Sequence, residues 1–111
     1  MEIKKVSSDK KQFLELLLLA DEQENMIDRY LERGEMFVLY EDGLKAVCVV
    51  TAEGEGIYEI KNIATVLAFQ RKGYGKKLIE FLFGYYCDKC SAMLVGTGDV
   101  FSTVSFYEYC G

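Results

Sequence analysis

Histidine and proline are absent from the 111 residues, and the strongly apolar stretches are short, residues 16–20 running for five positions. A membrane-spanning helix needs roughly 20 apolar residues, so that run reads as core and no membrane partner is expected. A charged start leading into an apolar segment and a small-residue cleavage site is also missing, which makes the cytoplasm the expected location. Lysine and arginine are outnumbered by aspartate and glutamate, 13 against 18, for a net charge of −5. Phosphate neutralisation demands a cationic surplus, so no nucleic-acid partner is expected; such a field suits a cationic small substrate better. Cys87 and Cys90 make one CxxC pair, but there is no second pair at zinc-ribbon spacing and no histidine to complete a set. A tetrahedral site would have to recruit Cys48 and Cys110 from distant segments, so no metal is expected and the cysteines read as reduced thiols.

What is present is ordinary globular material. Half the residues are apolar and 28% are charged, and the length suits one domain over residues 1–111 with one core. Glu2–Val6 reads as a strand. Asp9 and Gln12 mark a helix start, as cap and third position, for a helix to about residue 20. A second helix is expected at 23–33, where Met26, Ile27, Tyr30 and Leu31 recur at helical spacing before Gly34. Strands at 36–40 and 44–52 flank the Asp42-Gly43 turn, and Ile57–Thr65 follows a second glycine turn as a third antiparallel strand. Helical periodicity returns at 72–89, with Leu78, Leu82 and Tyr86 in one row. A short strand at 92–96 and a last helix at 101–109 complete the order. A helix crossing between two late strands predicts an α/β fold, an antiparallel meander followed by a βαβ crossover with flanking helices. The open point beside such a parallel pair can receive a ligand.

Between the strand ending at Thr65 and the next helix lies Gln70, Arg71, Lys72, Gly73, Tyr74, Gly75, Lys76, Lys77. Two glycines let the backbone turn tightly and aim successive N–H groups at one point, where the helix dipole adds positive potential. Four cations stand here in an acidic chain. A Walker loop fails, since residue 70 is glutamine and residue 77 is lysine; a dinucleotide GxGxxG fails because Gly73 and Gly75 are followed by Leu78. Gln-x-x-Gly-x-Gly between a strand and an amphipathic helix remains.

That loop resembles the signature of the GNAT superfamily of acetyl-CoA-dependent N-acetyltransferases. Tyr58 to Thr65 looks like the family's fourth strand, and Phe106, Tyr107, Glu108, Tyr109, Cys110 and Gly111 look like its last-helix ending, in the family's order. The resemblance implies acetyl-CoA as co-substrate and transfer of its acetyl group to a primary amine by direct attack. Backbone groups of Ile63, Ala64 and Thr65 would hold the acetyl carbonyl and pantetheine arm, and Gln70, Arg71, Lys72, Gly73, Tyr74, Gly75 and Lys76 the pyrophosphate. Tyr107 matches the tyrosine that protonates the leaving thiolate, its phenol titrating at about 10 when unperturbed. Glu59 stands where relatives place the base, and burial can raise a carboxylate into a useful range. Each assignment has an alternative. Tyr107 reads also as packing, Glu59 as a strand residue paired with Lys61, and the base as water; Asp99, before the last helix, reads as its cap.

Relatives continue past this ending with further strands, and carry a proline where this chain has Leu67. A chain ending at Gly111 implies a truncated domain, or a homodimer that covers the edge of the last strand. A non-catalytic acetyl-CoA-binding module is the alternative function. The acceptor, a small-molecule or peptide amine, is left open; Asp21, Glu22, Glu24 and Asp28 read as a solvated helix face, with attraction of a cationic acceptor as the alternative.

Overall fold

The computed structural model describes residues 1–89 and 91–95. Strand β1 (Glu2–Val6) leads through a 3₁₀ turn (Lys10–Phe13) into helix α1 (Leu14–Leu17) and then helix α2 (Glu24–Leu31). Strands β2 (Glu35–Tyr40), β3 (Leu44–Gly54) and β4 (Ile57–Thr65) follow. A 3₁₀ turn (Leu67–Phe69), helix α3 (Tyr74–Tyr86) and strand β5 (Ala92–Val95) complete the described chain. The strands form one sheet in chain order, antiparallel from β1 to β4, with β5 parallel to β4. This is the mixed α/β sheet that the sequence predicts. The last helix expected at 101–109 lies outside the described residues.

The runs in β2 and β3 are almost wholly apolar because both faces of the sheet are covered. Phe37 and Leu39 of β2 and Ala46, Cys48 and Val50 of β3 pack with Leu78, Leu82, Phe83 and Tyr86 of α3. Met36, Val38, Val47 and Val49 face the other way, against Phe13, Leu17, Ile27 and Leu31. Burial of side chains this size stabilises by roughly 1.5–3 kcal/mol each.

Strand β4 changes faces along its length. Val49 pairs with Asn62 and Val50 with Ile60, so the register passes over Lys61. One extra residue reverses the alternation beyond it. Ile60 accordingly joins the α3 core, whereas Ala64 joins the α1–α2 core. Asn62, on that second side, donates from Nδ2 to the Leu17 carbonyl at 3.0 Å and to the Tyr30 hydroxyl at 3.1 Å. Strand β5 pairs with β4 only from Ile57 to Ile60. Among the described residues, then, 61–65 have no β5 partner.

Two expectations need correction. Asp9 does not cap a helix to residue 20: it sits at φ 51° with no side-chain cap bond, and Gln12 Nε2 donates to its carbonyl at 3.0 Å. Lys10 anchors this turn instead. Its buried ammonium donates to the carbonyls of Leu31 (2.8 Å), Glu32 (3.2 Å) and Gly34 (2.7 Å), groups that the end of α2 leaves without helical partners. Nor are all the cysteines reduced thiols, since Cys87 at the end of α3 is disulfide-bonded. Cys48 is free, and burial pushes its thiol up to about 12.

Candidate active site

The free half of β4 and the start of α3 enclose a cavity of about 430 Å³. Ile63, Ala64 and Thr65 line it from β4, Gln70 and Arg71 from the loop, and Gly73, Tyr74, Gly75 and Lys76 from the helix start, with Leu19 and Ala20 beyond the end of α1 closing it. Nine of the ten residues expected to hold a cofactor therefore share one cavity. Lys72 is in the loop but does not line it.

The local conformation follows from the residue types. Gln70 Nε2 donates to the Thr65 carbonyl at 3.2 Å and ties the loop to the strand end. Arg71 at φ 65° and Gly73 at φ 89° are both left-handed, and left-handed residues interspersed along a loop make a concave nest of N–H groups. Glycine accepts this without strain; for Arg71 it costs roughly 1–2 kcal/mol. The first helical bond of α3 runs from Lys77 N–H to the Gly73 carbonyl at 3.0 Å. The amides of Tyr74, Gly75 and Lys76 precede it and have no intrahelical acceptor, so they are available to an anion. Arg71, Lys72 and Lys76 have no ion-pair partner among the described residues. The β2–β3 hairpin braces the loop from behind: Lys45 Nζ lies 3.7 Å from the Phe69 ring centroid, and Phe69 meets Tyr74 edge to face at 6.5 Å. Partial burial and the neighbouring Glu41 carboxylate raise the Tyr74 phenol above its usual value, which keeps it neutral.

A second cavity, about 330 Å³, lies alongside. Asp21, Met26, Arg29, Tyr30 and Arg33 stand over Glu59 and Lys61 of β4. The two linings come from neighbouring stretches of chain: Ala20 lines the first and Asp21 the second, Ile63 the first and Lys61 the second. Two residues along a strand span about 6.6 Å. Between them Asn62 is wholly buried, and its Oδ1 has no hydrogen-bond partner. Tyr30 donates to Asp21 Oδ2 at 3.2 Å, and burial raises its phenol to about 12.

Glu59 makes the ion pair with Lys61 weighed against its role as base, at 3.0 Å, but the pair lines a cavity with only 19% of the Glu59 side chain exposed. Tyr107 lies outside the described residues. Of the four acidic residues read as a solvated face with attraction of an acceptor as the alternative, only Asp21 lines this cavity; Glu24 and Asp28 are held by Lys11 at 2.7 and 2.6 Å. Tyr30 and Asn62 were not singled out from sequence as site residues. An asparagine amid Ile60, Lys61 and Ile63 was the available signal, a polar group in a strand that must bury one face.

Residues 32–111 match the family model of the acetyltransferase (GNAT) domain. The chain belongs to the GNAT acetyltransferase family. It is 35% identical over 100 residues to the uncharacterized N-acetyltransferase YvbK of Bacillus subtilis (strain 168), a match covering 87% of this chain and 64% of that protein. The chain thus spans just under two thirds of that relative's length. Its fold matches a GNAT family acetyltransferase from Elizabethkingia anophelis with acetyl-CoA bound, at TM-score 0.80 and 31% identity, over 97% of this chain and 71% of the other. A Bacillus subtilis acetyltransferase in complex with CoA matches at TM-score 0.79 and 32% identity, over 99% and 74%. Among the described residues of this GNAT chain, no helix is long and apolar enough to cross a membrane.

Proposed function

We propose that this domain is an acetyl-CoA-dependent N-acetyltransferase, with acetyl-CoA in the first cavity and an amine acceptor entering from the second. The observation that carries the reading is the convergence of the free half of β4 and the nest of 70–76 on one cavity. These residues fit the co-substrate's chemistry: uncommitted amides and unpaired cations suit a pyrophosphate, and a strand edge without a β5 partner suits an extended arm carrying amides.

Acetyl-CoA, when bound, supplies an acetyl group already activated as a thioester. The chain's contribution is positioning and charge. Backbone groups of Ile63 to Thr65 orient the carbonyl. Glu59, or water beside it, takes the proton of the incoming ammonium. The carbon–nitrogen bond forms, the carbon–sulfur bond breaks, Tyr107 gives its proton to sulfur, a role assigned from its place in the sequence, and the second proton lost by the acylated nitrogen restores the phenol. Lys61 holds Glu59 in the second cavity, so the base faces the acceptor's side of the bulge.

The test is steady-state acetylation of a panel of amines by the purified chain, read by mass spectrometry of the N-acetyl product. Tyr107→Phe and Glu59→Gln are expected to lower kcat by about 10²-fold or more each, in the range of general acid–base catalysis, while leaving acetyl-CoA affinity near that of the unaltered chain. Full activity in Tyr107→Phe would remove it from the reaction.

A further inference from the structure

The second cavity does not have the charge of its surroundings. Arg29, Arg33 and Lys61 line it against Asp21 and Glu59, an excess of one cation in a chain of net charge −5. Two of these cations are committed: Arg33 to Glu53 at 3.1 Å and Lys61 to Glu59 at 3.0 Å. Arg29 has no ion-pair partner among the described residues. Asp21 and Glu59 offer oxygens to an ammonium, whereas a guanidinium offers a planar pair of donors that matches a carboxylate.

We infer that the acceptor is an amino acid or an amino-acid-like amine, carrying a carboxylate beside the amine, and that Arg29 is the partner of that carboxylate. The inference rests on the proposed transfer reaction and narrows its substrate. A simple polyamine would bring a second cation towards Arg29, the one cation of this lining without an ion-pair partner among the described residues, and like charges brought together are repelled. A zwitterion satisfies both halves of the lining. Its ammonium falls to the acidic pair, of which Glu59 lies on β4 four residues before Ile63, the start of the proposed acetyl-binding stretch, and its carboxylate falls to α2. The arrangement also departs from the cationic acceptor that the overall charge favours: the local lining, and not the net charge, faces the substrate.

The experiment compares matched pairs that differ by one carboxylate, tyrosine with tyramine and lysine with cadaverine, as acceptors for the full chain with saturating acetyl-CoA. The amino acids are expected to show the higher kcat/KM. In Arg29→Gln the ratio of amino acid to decarboxylated amine is expected to fall about tenfold, the effect of losing one charge-assisted contact, mainly through KM, and Arg29→Lys should recover part of it. Preference for tyramine and cadaverine, a ratio that Arg29→Gln leaves alone, or acetylation of no amino acid would each overturn the inference. Calorimetric titration with acetyl-CoA separates this failure from a deeper one. A chain that binds acetyl-CoA but favours the decarboxylated amines refutes only the acceptor class, whereas a folded chain that does not bind it refutes the transfer reaction as well. An Arg29→Gln chain that loses acetyl-CoA binding marks the arginine as a fold residue and also overturns the assignment.

Discussion

Gly73 takes φ 89° at the start of α3, and a Cβ built there meets nothing within 4 Å. Crowding is therefore not what a side chain would bring; backbone strain is. Gly73→Ala is expected to destabilise the domain by about 1 kcal/mol and to weaken acetyl-CoA binding, because a relaxed φ turns the amides of 74–76 out of the nest. Gly73→Glu adds a carboxylate to that site and should abolish binding while the chain stays folded by circular dichroism. Asn62 tests the buried bonding between β4 and the α1–α2 layer. Asn62→Ala removes the donor that serves both the Leu17 carbonyl and the Tyr30 hydroxyl in a buried setting, at a cost of about 1–3 kcal/mol, and a lowered melting temperature would register it. Loop glycines and cations are legible in a sequence because their spacing is local. Asn62 was not, since its partners lie 45 and 32 residues away.

Strand β4 shows what element-scale reading captures and what it misses. Its ends at Ile57 and Thr65, and its place as the third strand of a meander, follow from glycine turns and β-branched residues. The bulge at Lys61 does not, because Lys61 and Asn62 are two polar residues in a row and nothing local says which of them the ladder passes over. The helix predicted at 9–20 fails for a related reason: a lysine normally reads as solvated, and only the ends of α2, distant in sequence, make a buried Lys10 favourable. Lys10→Met should leave the Leu31, Glu32 and Gly34 carbonyls without their donor and cost about 1–3 kcal/mol, measurable by urea denaturation. Glu35 joins three elements, accepting from Lys5 of β1 at 2.5 Å and from the Tyr86 hydroxyl of α3. Partial burial pushes its carboxyl up, but the bonds from Lys5 and Tyr86 outweigh it and hold the group below the ordinary 4.5. A depressed carboxyl stabilises fully above the unfolded value and loses that contribution as pH falls through the folded one. The melting temperature is therefore expected to drop on acidification below about pH 4.5, less steeply in Glu35→Gln than in the unaltered chain; equal slopes would contradict the assignment.

Across the whole molecule, a sheet covered on both faces leaves two of its openings where pairing changes, at the half of β4 beyond β5 and beside the bulge. An acidic chain places its unpaired cations around both. The GNAT order of elements was legible because each element has its own period and the loop its own spacing; which acidic residues face the second cavity was not, because ion pairs such as Lys11 with Glu24 and Asp28 are set by tertiary packing. Titration calorimetry of the purified chain with acetyl-CoA, with desulfo-CoA and ATP alongside, bears most directly on the binding role of the first cavity. Binding of acetyl-CoA at micromolar affinity, comparable binding of desulfo-CoA, little of ATP, and loss of all heat in Gly73→Glu is the expected result. A folded chain that gives no heat with acetyl-CoA, or that binds ATP equally well, would contradict it.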